Sequence, residues 1–240
     1  MRLLELDRVS KSFGQLRVIT DLSFRVDVGE ALGVVGPNGA GKTTMMNLIG
    51  GTIPSDSGRI VFEGVDVTHL PAHARCRAGI GRTFQIPQPF EGLTVFENVL
   101  VGIRFGVAEP VDDPFETVMN LLDRTGLAHR ANVLAASLTL LERKRLELAR
   151  ALATGPRVLL LDEIGGGLTE AEMAELVQTI RDLRAEGITI VWIEHIVHAL
   201  LSVVDRLLAI DFGRMLKEGM PEEVMASPEV QAVYLGISAE

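Results

Sequence analysis

The chain has 240 residues, of which 47% are apolar, and a formal net charge of −9. This length suffices for one large domain, or for a core with a smaller lobe attached. The negative charge argues against a surface that neutralises nucleic-acid phosphates. A lone cysteine, Cys76, excludes an internal disulfide and fits a reducing compartment. We see no signal peptide, and the best apolar stretch, Ile193–Ile210, is interrupted by charged residues, so we expect a soluble cytosolic protein.

The N-terminal part is predicted to be rich in β-strands. Two segments, LLELDRVSKSF and VITDLSFRVDVGE, carry alternating or β-branched apolar residues with turn residues between them. The apolar run ALGVV predicts a buried strand, which leads through a glycine-rich loop into a helix, KTTMMNLIG. A further short strand is predicted at SGRIVFEG.

The remainder of the chain predicts a helical segment followed by alternating helices and strands. Residues 87–136 begin with prolines and continue with helical stretches such as VFENVLVGI and PFETVMNLLDRTGL, which suggests a separate lobe. After them come helix (LERKRLELARALA), strand (VLLLDE), long helix (EAEMAELVQTIRDLRAEG) and strand (TIVWIEH). Two short strands and two small helices end the chain. This alternation predicts an α/β fold with a mainly parallel sheet.

The glycine-rich loop from Gly36 to Thr43 reads GPNGAGKT and matches the phosphate-binding pattern G-x-x-x-x-G-K-[ST]. Its glycines let backbone N–H groups turn inward, and the following helix directs its positive end towards an anion. Lys42 would reach the β- and γ-phosphates, and the Thr43 hydroxyl would hold Mg²⁺. A chance match in a flexible turn is the alternative. The preceding buried strand and the following helix argue against it.

Polar residues end three of the predicted strands. Asp162 and Glu163 follow VLLL, where the first can serve Mg²⁺ and the second can polarise an attacking water. His195 follows TIVWIE and could contact a γ-phosphate, while Gln85 follows GIGRTF. Each of these residues, taken alone, is better explained as an ordinary strand end, solvated or, for the histidine, capped in the core. The phosphate loop earlier in the chain favours the catalytic interpretation.

The order of these features resembles the nucleotide-binding domain of ABC transporters over essentially the whole chain. The resemblance implies a phosphate-loop NTPase core with a mainly parallel sheet, an antiparallel β subdomain and a helical lobe. It implies a single domain over residues 1–240, with the core and β subdomain in residues 1–86 and 137–240 and the lobe in residues 87–136.

The resemblance also implies ATP and Mg²⁺ as ligands and assigns roles to individual residues. Phe13 would stack on adenine, and the phosphates would contact Gly36, Pro37, Asn38, Gly39, Ala40, Gly41, Lys42, Thr43 and Thr44. The metal would be held through Thr43, Gln85 and Asp162. Catalysis would depend on Glu163 as general base, with Lys42 and His195 at the γ-phosphate.

A narrower resemblance concerns the transported solute. The phrases GRTFQ, LTVFENVLVG, RLELARALAT and PEVQAVYLG are similar to those of importers for branched-chain or hydrophobic amino acids, and to related urea and amide importers. The resemblance implies a second, non-identical ATPase subunit, two transmembrane permeases and, indirectly, a solute-binding protein. It implies no nucleic-acid partner, and it implies a position on the inner face of the plasma membrane through the permeases.

The family's signature loop, usually Leu-Ser-Gly-Gly-Gln, falls on a divergent segment of this chain: Leu138, Thr139, Leu140, Leu141 and Glu142. By resemblance this loop would approach the γ-phosphate held by the other subunit. Leucine in place of glycine adds bulk there, and Glu142 adds negative charge. The alternative is that Thr139-x-x-Glu142 serves only as a capping box for the next helix. Both readings stay open.

Two further departures follow Glu163. Ile164 stands where the family usually has proline, and Thr169 stands where an acid or amide is common. Together with the divergent signature, they predict an asymmetric pair. The ATP site that this chain builds would be competent, whereas the site to which it lends its signature would be slow.

Three other features of the sequence have both a structural and a functional interpretation. His69, His73 and Cys76 have spacings that could place metal ligands on one helix face, although Pro71 interrupts the first spacing. The basic run from Arg143 to Arg145 is better explained as a solvated helix face or an intersubunit salt-bridge set than as a nucleic-acid site. The apolar segment Pro89–Ile103 could be lobe core or could receive a permease helix.

Two rival functions remain from the sequence. The first is a soluble ABC ATPase of DNA repair or translation, which usually carries a coiled coil or two cassettes, and neither is found in this sequence. The second is a non-hydrolysing regulatory subunit. Intact Lys42, Glu163 and His195 argue against it, and the divergent signature argues for it.

Overall fold

The computed structural model describes residues 1–235, so Gly236 of the PEVQAVYLG phrase lies outside the described residues. In chain order the strands are β1 (Arg2–Phe13), β2 (Leu16–Asp27), β3 (Ala31–Val35), β4 (Ser57–Phe62), β5 (Val65–Asp66), β6 (Ile80–Arg82), β7 (Val158–Asp162), β8 (Thr189–Ile193), β9 (Arg206–Asp211) and β10 (Arg214–Gly219). The α-helices are α1 (Lys42–Gly50), α2 (Ala72–Ala78), α3 (Val95–Gly106), α4 (Pro114–Arg124), α5 (Leu140–Leu152), α6 (Glu170–Ala185), α7 (Val197–Leu201), α8 (Pro221–Met225) and α9 (Pro228–Leu235). Short 3₁₀ turns occupy Ala128–Arg130 and Ala135–Ser137.

The chain divides into two compact units, one formed by Met1–Ala72 with Thr189–Glu240 and the other by His73–Ile188. The first unit contains an antiparallel sheet in the order β2-β1-β4-β5. Its long β1 and β2 strands form a hairpin in which Phe13 pairs with Leu16. Burial alternates along β2 from Thr20 to Asp27, because successive side chains point to opposite faces of a sheet. β1 is less regular, with successive buried residues at Leu3 and Leu4 and from Val9 to Lys11.

The first unit also contains a second group of strands, which includes buried parallel strands. β3 pairs in parallel with both β8 and β9, and β10 pairs antiparallel to β9. Every residue of β3 and β8 is buried. Strands covered on both faces need uniformly apolar side chains, which accounts for the ALGVV and TIVWI runs.

The second unit contains the parallel pair β6 and β7, with Arg82 opposite Leu160. Helix α3 packs against α4 and α5. Thr94 and Glu97 form a capping box that starts α3, and Asp113 caps α4 with Pro114 in its first turn. These signals explain why the helical segments predicted in residues 87–136 begin where they do.

The predicted fold class is confirmed: a parallel β–α arrangement, an antiparallel β sheet and a helical segment all occur. Three short elements were missed, namely α2, β5 and α7. Helix α2, with the sequence AHARCRA, has too few apolar residues to show a helical period. β5 spans only two residues and is set by its pairing with β4.

Candidate nucleotide-binding and catalytic sites

The phosphate loop joins β3 to α1 within the first unit. Gly36 has a φ of 155°, and a Cβ atom there would lie 2.2 Å from the carbonyl oxygen of Ile210. Gly41 caps α1 with a φ of 100°, and its Cβ would lie 2.7 Å from Ile19 Cδ1. Both positions therefore require glycine, for backbone conformation and for space.

Lys42 is held against the loop that it follows. Its side chain is buried, and Nζ donates hydrogen bonds to the carbonyl oxygens of Gly36 at 2.7 Å and Pro37 at 2.9 Å. The first turn of α1 contains no acidic side chain, so its positive end is not offset there. Asn38, Gly39 and Thr43 are exposed. A buried ammonium beside an open, glycine-lined loop fits a polyphosphate.

Phe13 and His195 also lie in the first unit. Phe13 ends β1 with half of its surface exposed, and Lys11 Nζ lies 5.5 Å from its ring centroid. His195 follows β8 and is exposed, and its backbone N–H donates to the carboxylate of the buried Glu194. An accessible ring and an accessible imidazole suit adenine stacking and γ-phosphate contact, and these roles stay predictions.

The predicted metal-side acid, Asp162, lies at the end of β7 in the second unit. It is 2% exposed, and its Oδ2 accepts a hydrogen bond from Arg82 Nη2 at 3.0 Å. Its backbone N–H donates to Thr83 Oγ1. The aspartate is therefore oriented from β6, the neighbouring strand.

The predicted base, Glu163, follows immediately. It is 9% exposed and has a φ of 48°, in the left-handed region that non-glycine residues seldom adopt. Gln85 Nε2 donates a hydrogen bond to Glu163 Oε2 at 2.5 Å. Left-handed backbone at such a residue costs about 1–3 kcal/mol and clusters at functional sites. The structure thus brings together Gln85, Asp162 and Glu163 within one unit.

Arg82 is a site residue that the sequence reasoning missed. Burial lowers the pKa of its guanidinium below the ordinary value for arginine, and the hydrogen bond to Asp162 opposes that shift. The guanidinium carbon also lies 5.0 Å from the Phe84 ring centroid. The sequence signal was weak: GIGRTF places an arginine in an otherwise largely apolar segment, and such an arginine needs a partner only if it is buried.

The divergent signature segment forms the start of α5. Thr139 caps the helix, and Thr139 and Glu142 form a capping box by mutual hydrogen bonds. Glu142 Oε1 also accepts from Arg130 at 2.6 Å, and this hydrogen bond is the main cause of a lowered Glu142 pKa. Leu138 is buried and Leu140 is 43% exposed. The capping role is confirmed, and the effect of this segment on a partner's ATP stays a prediction.

Ile164 and Thr169, the two departures after Glu163, both have structural roles. Ile164 is 1% exposed and belongs to the core. Thr169 caps α6 through a capping box with Glu172. Threonine therefore serves the helix start at this position.

The basic run in α5 is not a solvated face, which corrects that reading. Lys144 is 3% exposed, and its Nζ donates to the carbonyl oxygen of Gln85 at 2.6 Å. Arg143 bonds the carbonyl oxygens of Leu138 and Ala136, and Arg145 pairs with Glu175.

The proposed metal cluster at His69, His73 and Cys76 gains no support. Helix α2 begins at Ala72, so His69 precedes it. Residues 1–235 contain no group of three or more His, Cys, Asp or Glu side chains that could hold a metal ion. Within the same residues, no helix is long and apolar enough to cross a bilayer.

A phosphate loop between a buried parallel strand and a helix, together with two successive acids at the end of another strand, is typical of a phosphate-loop nucleoside triphosphatase. The chain belongs to the ABC transporter family, whose model matches residues 19–165. It is the ATP-binding subunit of a transporter and an ATPase, and its ligands are ATP and Mg²⁺.

Known relatives cover almost the whole chain. The lipopolysaccharide export system ATP-binding protein LptB of Haemophilus influenzae is 34% identical, with 98% of each chain covered. A nucleotide-free ATP-binding cassette from an ABC transporter superposes with a TM-score of 0.90 at 29% identity, covering 100% of both chains. The ADP conformation of the cassette MJ1267 gives a TM-score of 0.88 at 31% identity, covering 98% of this chain and 99% of that one.

Proposed function

We propose that this chain hydrolyses ATP with Glu163 as general base, in an importer for branched-chain or other hydrophobic amino acids or related small amides. The catalytic part of the proposal rests on Glu163. This residue is buried, its backbone has a left-handed φ, and its carboxylate accepts a hydrogen bond from Gln85. The protein would act on the inner face of the plasma membrane, attached through two permeases.

Each site residue has a stated task in this proposal. The backbone of Gly36–Thr44 binds the phosphates, and the Lys42 ammonium exchanges its loop carbonyls for phosphate oxygens. Glu163 orients the water and accepts its proton, and His195 donates to the γ-phosphate. Thr43, Gln85 and Asp162 would hold Mg²⁺, whose charge would offset the negative charge of the phosphates. Phe13 stacks on adenine.

The solute class rests on the phrases GRTFQ, LTVFENVLVG, RLELARALAT and PEVQAVYLG. The relative named as a lipopolysaccharide export protein favours a second candidate, the export of a lipid-like solute. An importer of this kind uses a solute-binding protein, whereas an exporter takes its solute from the membrane or the cytoplasm. ATP turnover of the reconstituted complex should therefore rise when a binding protein loaded with leucine or urea is added. If no loaded binding protein changes ATP turnover, the result would favour export.

The partner subunit is proposed to be a second, non-identical ABC ATPase. Leu140 and Leu141 replace two glycines at the start of α5. A leucine side chain there hinders close approach of backbone to a phosphate of the partner's nucleotide. A partner with an intact signature would complete the site that Lys42 and Glu163 serve, so one site of the pair would be fast.

The test of the catalytic proposal is ATP turnover of the purified chain beside Glu163→Gln, alone and with the partner subunit. Loss of one positioned catalytic group costs about 10²–10⁴-fold, so turnover should nearly vanish while ATP binding persists. Turnover that is indifferent to Glu163→Gln, even with partner and permeases present, would favour the regulatory alternative. If the chain bound nucleic acid tightly and its ATP turnover rose as a result, the soluble DNA-repair or translation class would be favoured instead.

A further inference from the structure

Arg82 and Gln85 come from one short segment and bind two successive acids. Arg82 Nη2 donates to Asp162 Oδ2 at 3.0 Å, and Gln85 Nε2 donates to Glu163 Oε2 at 2.5 Å. The backbone between them is fixed as well, because the Thr83 N–H donates to the Leu160 carbonyl oxygen at 2.9 Å. Asp162 at the end of β7 and Glu163 directly after it are thus each held by a side chain from the end of β6 or just beyond it.

The Arg82–Asp162 ion pair is buried, and a buried ion pair contributes little net stability to a fold. The two side chains are 8% and 2% exposed. Desolvation offsets much of the attraction between buried charges, and apolar residues of similar size often stabilise such a position as well or better. A buried arginine at the predicted metal-side acid is therefore better explained by what it does to the carboxylate.

We propose that Arg82 is a positioning residue that orients the Asp162 carboxylate for Mg²⁺. This inference rests on the proposed role of Asp162 at the metal. A carboxylate is planar, so fixing the direction of Oδ2 also fixes the direction of Oδ1. Partners of this kind commonly change metal affinity by about 10–100-fold when they are replaced.

The experiment measures how strongly Mg²⁺ and nucleotide assist each other's binding. The probe is a fluorescent ADP analogue, and its affinity is determined in EDTA and in saturating Mg²⁺. The ratio of the two affinities is the coupling between metal and nucleotide. Arg82→Lys retains the charge but loses the planar fork, and Arg82→Gln loses both. Arg145→Lys is the matched control, because Arg145 also forms an ion pair in the second unit, with Glu175.

We expect Arg82→Lys to lower the coupling ratio by about 10-fold or more, as replacement of a metal-supporting residue does. Its affinity in EDTA should stay at the wild-type value, which also reports a folded protein. Arg145→Lys should leave both values unchanged. If Arg82→Lys and Arg82→Gln both retain the wild-type ratio while Asp162→Asn loses it, Arg82 has no positioning role. If Asp162→Asn also retains the ratio, the proposed metal role of Asp162 fails, and this inference fails with it.

Discussion

Gly36 illustrates how one residue fixes the geometry of the phosphate loop. A Cβ at this position would meet the Ile210 carbonyl oxygen at 2.2 Å. We expect Gly36→Ala to lower the free energy of unfolding by about 1–3 kcal/mol through this clash, in addition to its backbone cost. Gly39→Ala is the control, because Gly39 also has a positive φ but nothing lies within 4 Å of its Cβ. Urea unfolding of the two variants measures the difference, and equal losses would contradict the close approach.

Glu142 gives the protein a stability contribution that depends on pH. Its hydrogen bond with Arg130 lowers its pKa below the ordinary value of 4.5. The contribution is therefore present above pH 4.5, where the unfolded chain is also ionised, and it is lost as the pH falls through the lower folded-state pKa.

We expect Glu142→Gln to melt at a lower temperature than the wild type near neutral pH. The gap should shrink as the pH falls below 4.5. Glutamine retains a capping oxygen at this helix position, so the comparison isolates the charge. Melting temperatures across this range provide the measurement, and a gap that grows in acid would contradict the assigned direction.

At the scale of elements, α5 is tied to the segment around Gln85 by one face of the helix. Lys144, Glu147 and Arg150 lie three residues apart and therefore on the same side. Lys144 bonds the Gln85 carbonyl oxygen, and Arg150 bonds the Gln88 carbonyl oxygen at 2.8 Å. Arg150 also lies over the Phe90 ring, at 4.9 Å from its centroid. The helix that begins at the signature segment thus supports the segment that carries Gln85.

We expect Lys144→Met to make the backbone of residues 84–90 more mobile. Methionine has no hydrogen to donate, so the Gln85 carbonyl oxygen loses the hydrogen bond from Lys144, at a cost of about 1–3 kcal/mol in the free energy of unfolding. Hydrogen–deuterium exchange in residues 84–90 should become faster. Arg145→Met, one position along the helix and facing Glu175, should leave exchange there unchanged. Unaltered exchange in Lys144→Met would show that the contact does not restrain the segment.

The sequence predicted the elements whose signals are local. Buried strands such as β3 and β7 show as short apolar runs, and α5 shows as a capping box followed by a helical period. The phosphate loop is contiguous and was read directly. Contacts between distant segments left weaker signals. The Arg82–Asp162 pair joins residues that are 80 positions apart, and the burial of Lys144 depends on a carbonyl 59 positions away.

At the scale of the whole molecule, the chain combines a full set of proposed catalytic residues with a divergent signature. Lys42, Asp162 and Glu163 are all present, and all three are buried and hydrogen-bonded. In an ABC pair, the signature serves the nucleotide of the other subunit. Two copies of this chain would therefore carry the impairment at both sites, whereas a mixed pair would carry it at one.

Restoring the family residues tests whether the signature limits turnover. The triple change Leu140→Gly, Leu141→Gly and Glu142→Gln removes the bulk and the negative charge from the start of α5. Since one well-aimed donor is worth about 10²–10³-fold in rate, turnover of the chain alone should rise by about 10-fold or more, with that range as the ceiling. Adding Glu163→Gln to the triple variant should abolish the gain, because the restored signature needs a working base. Turnover that stays at the wild-type value, at concentrations where light scattering reports an ATP-bound dimer, would mean that Leu140 and Leu141 do not hinder the partner's nucleotide. The Thr139–Glu142 capping box would then be a complete explanation of the segment.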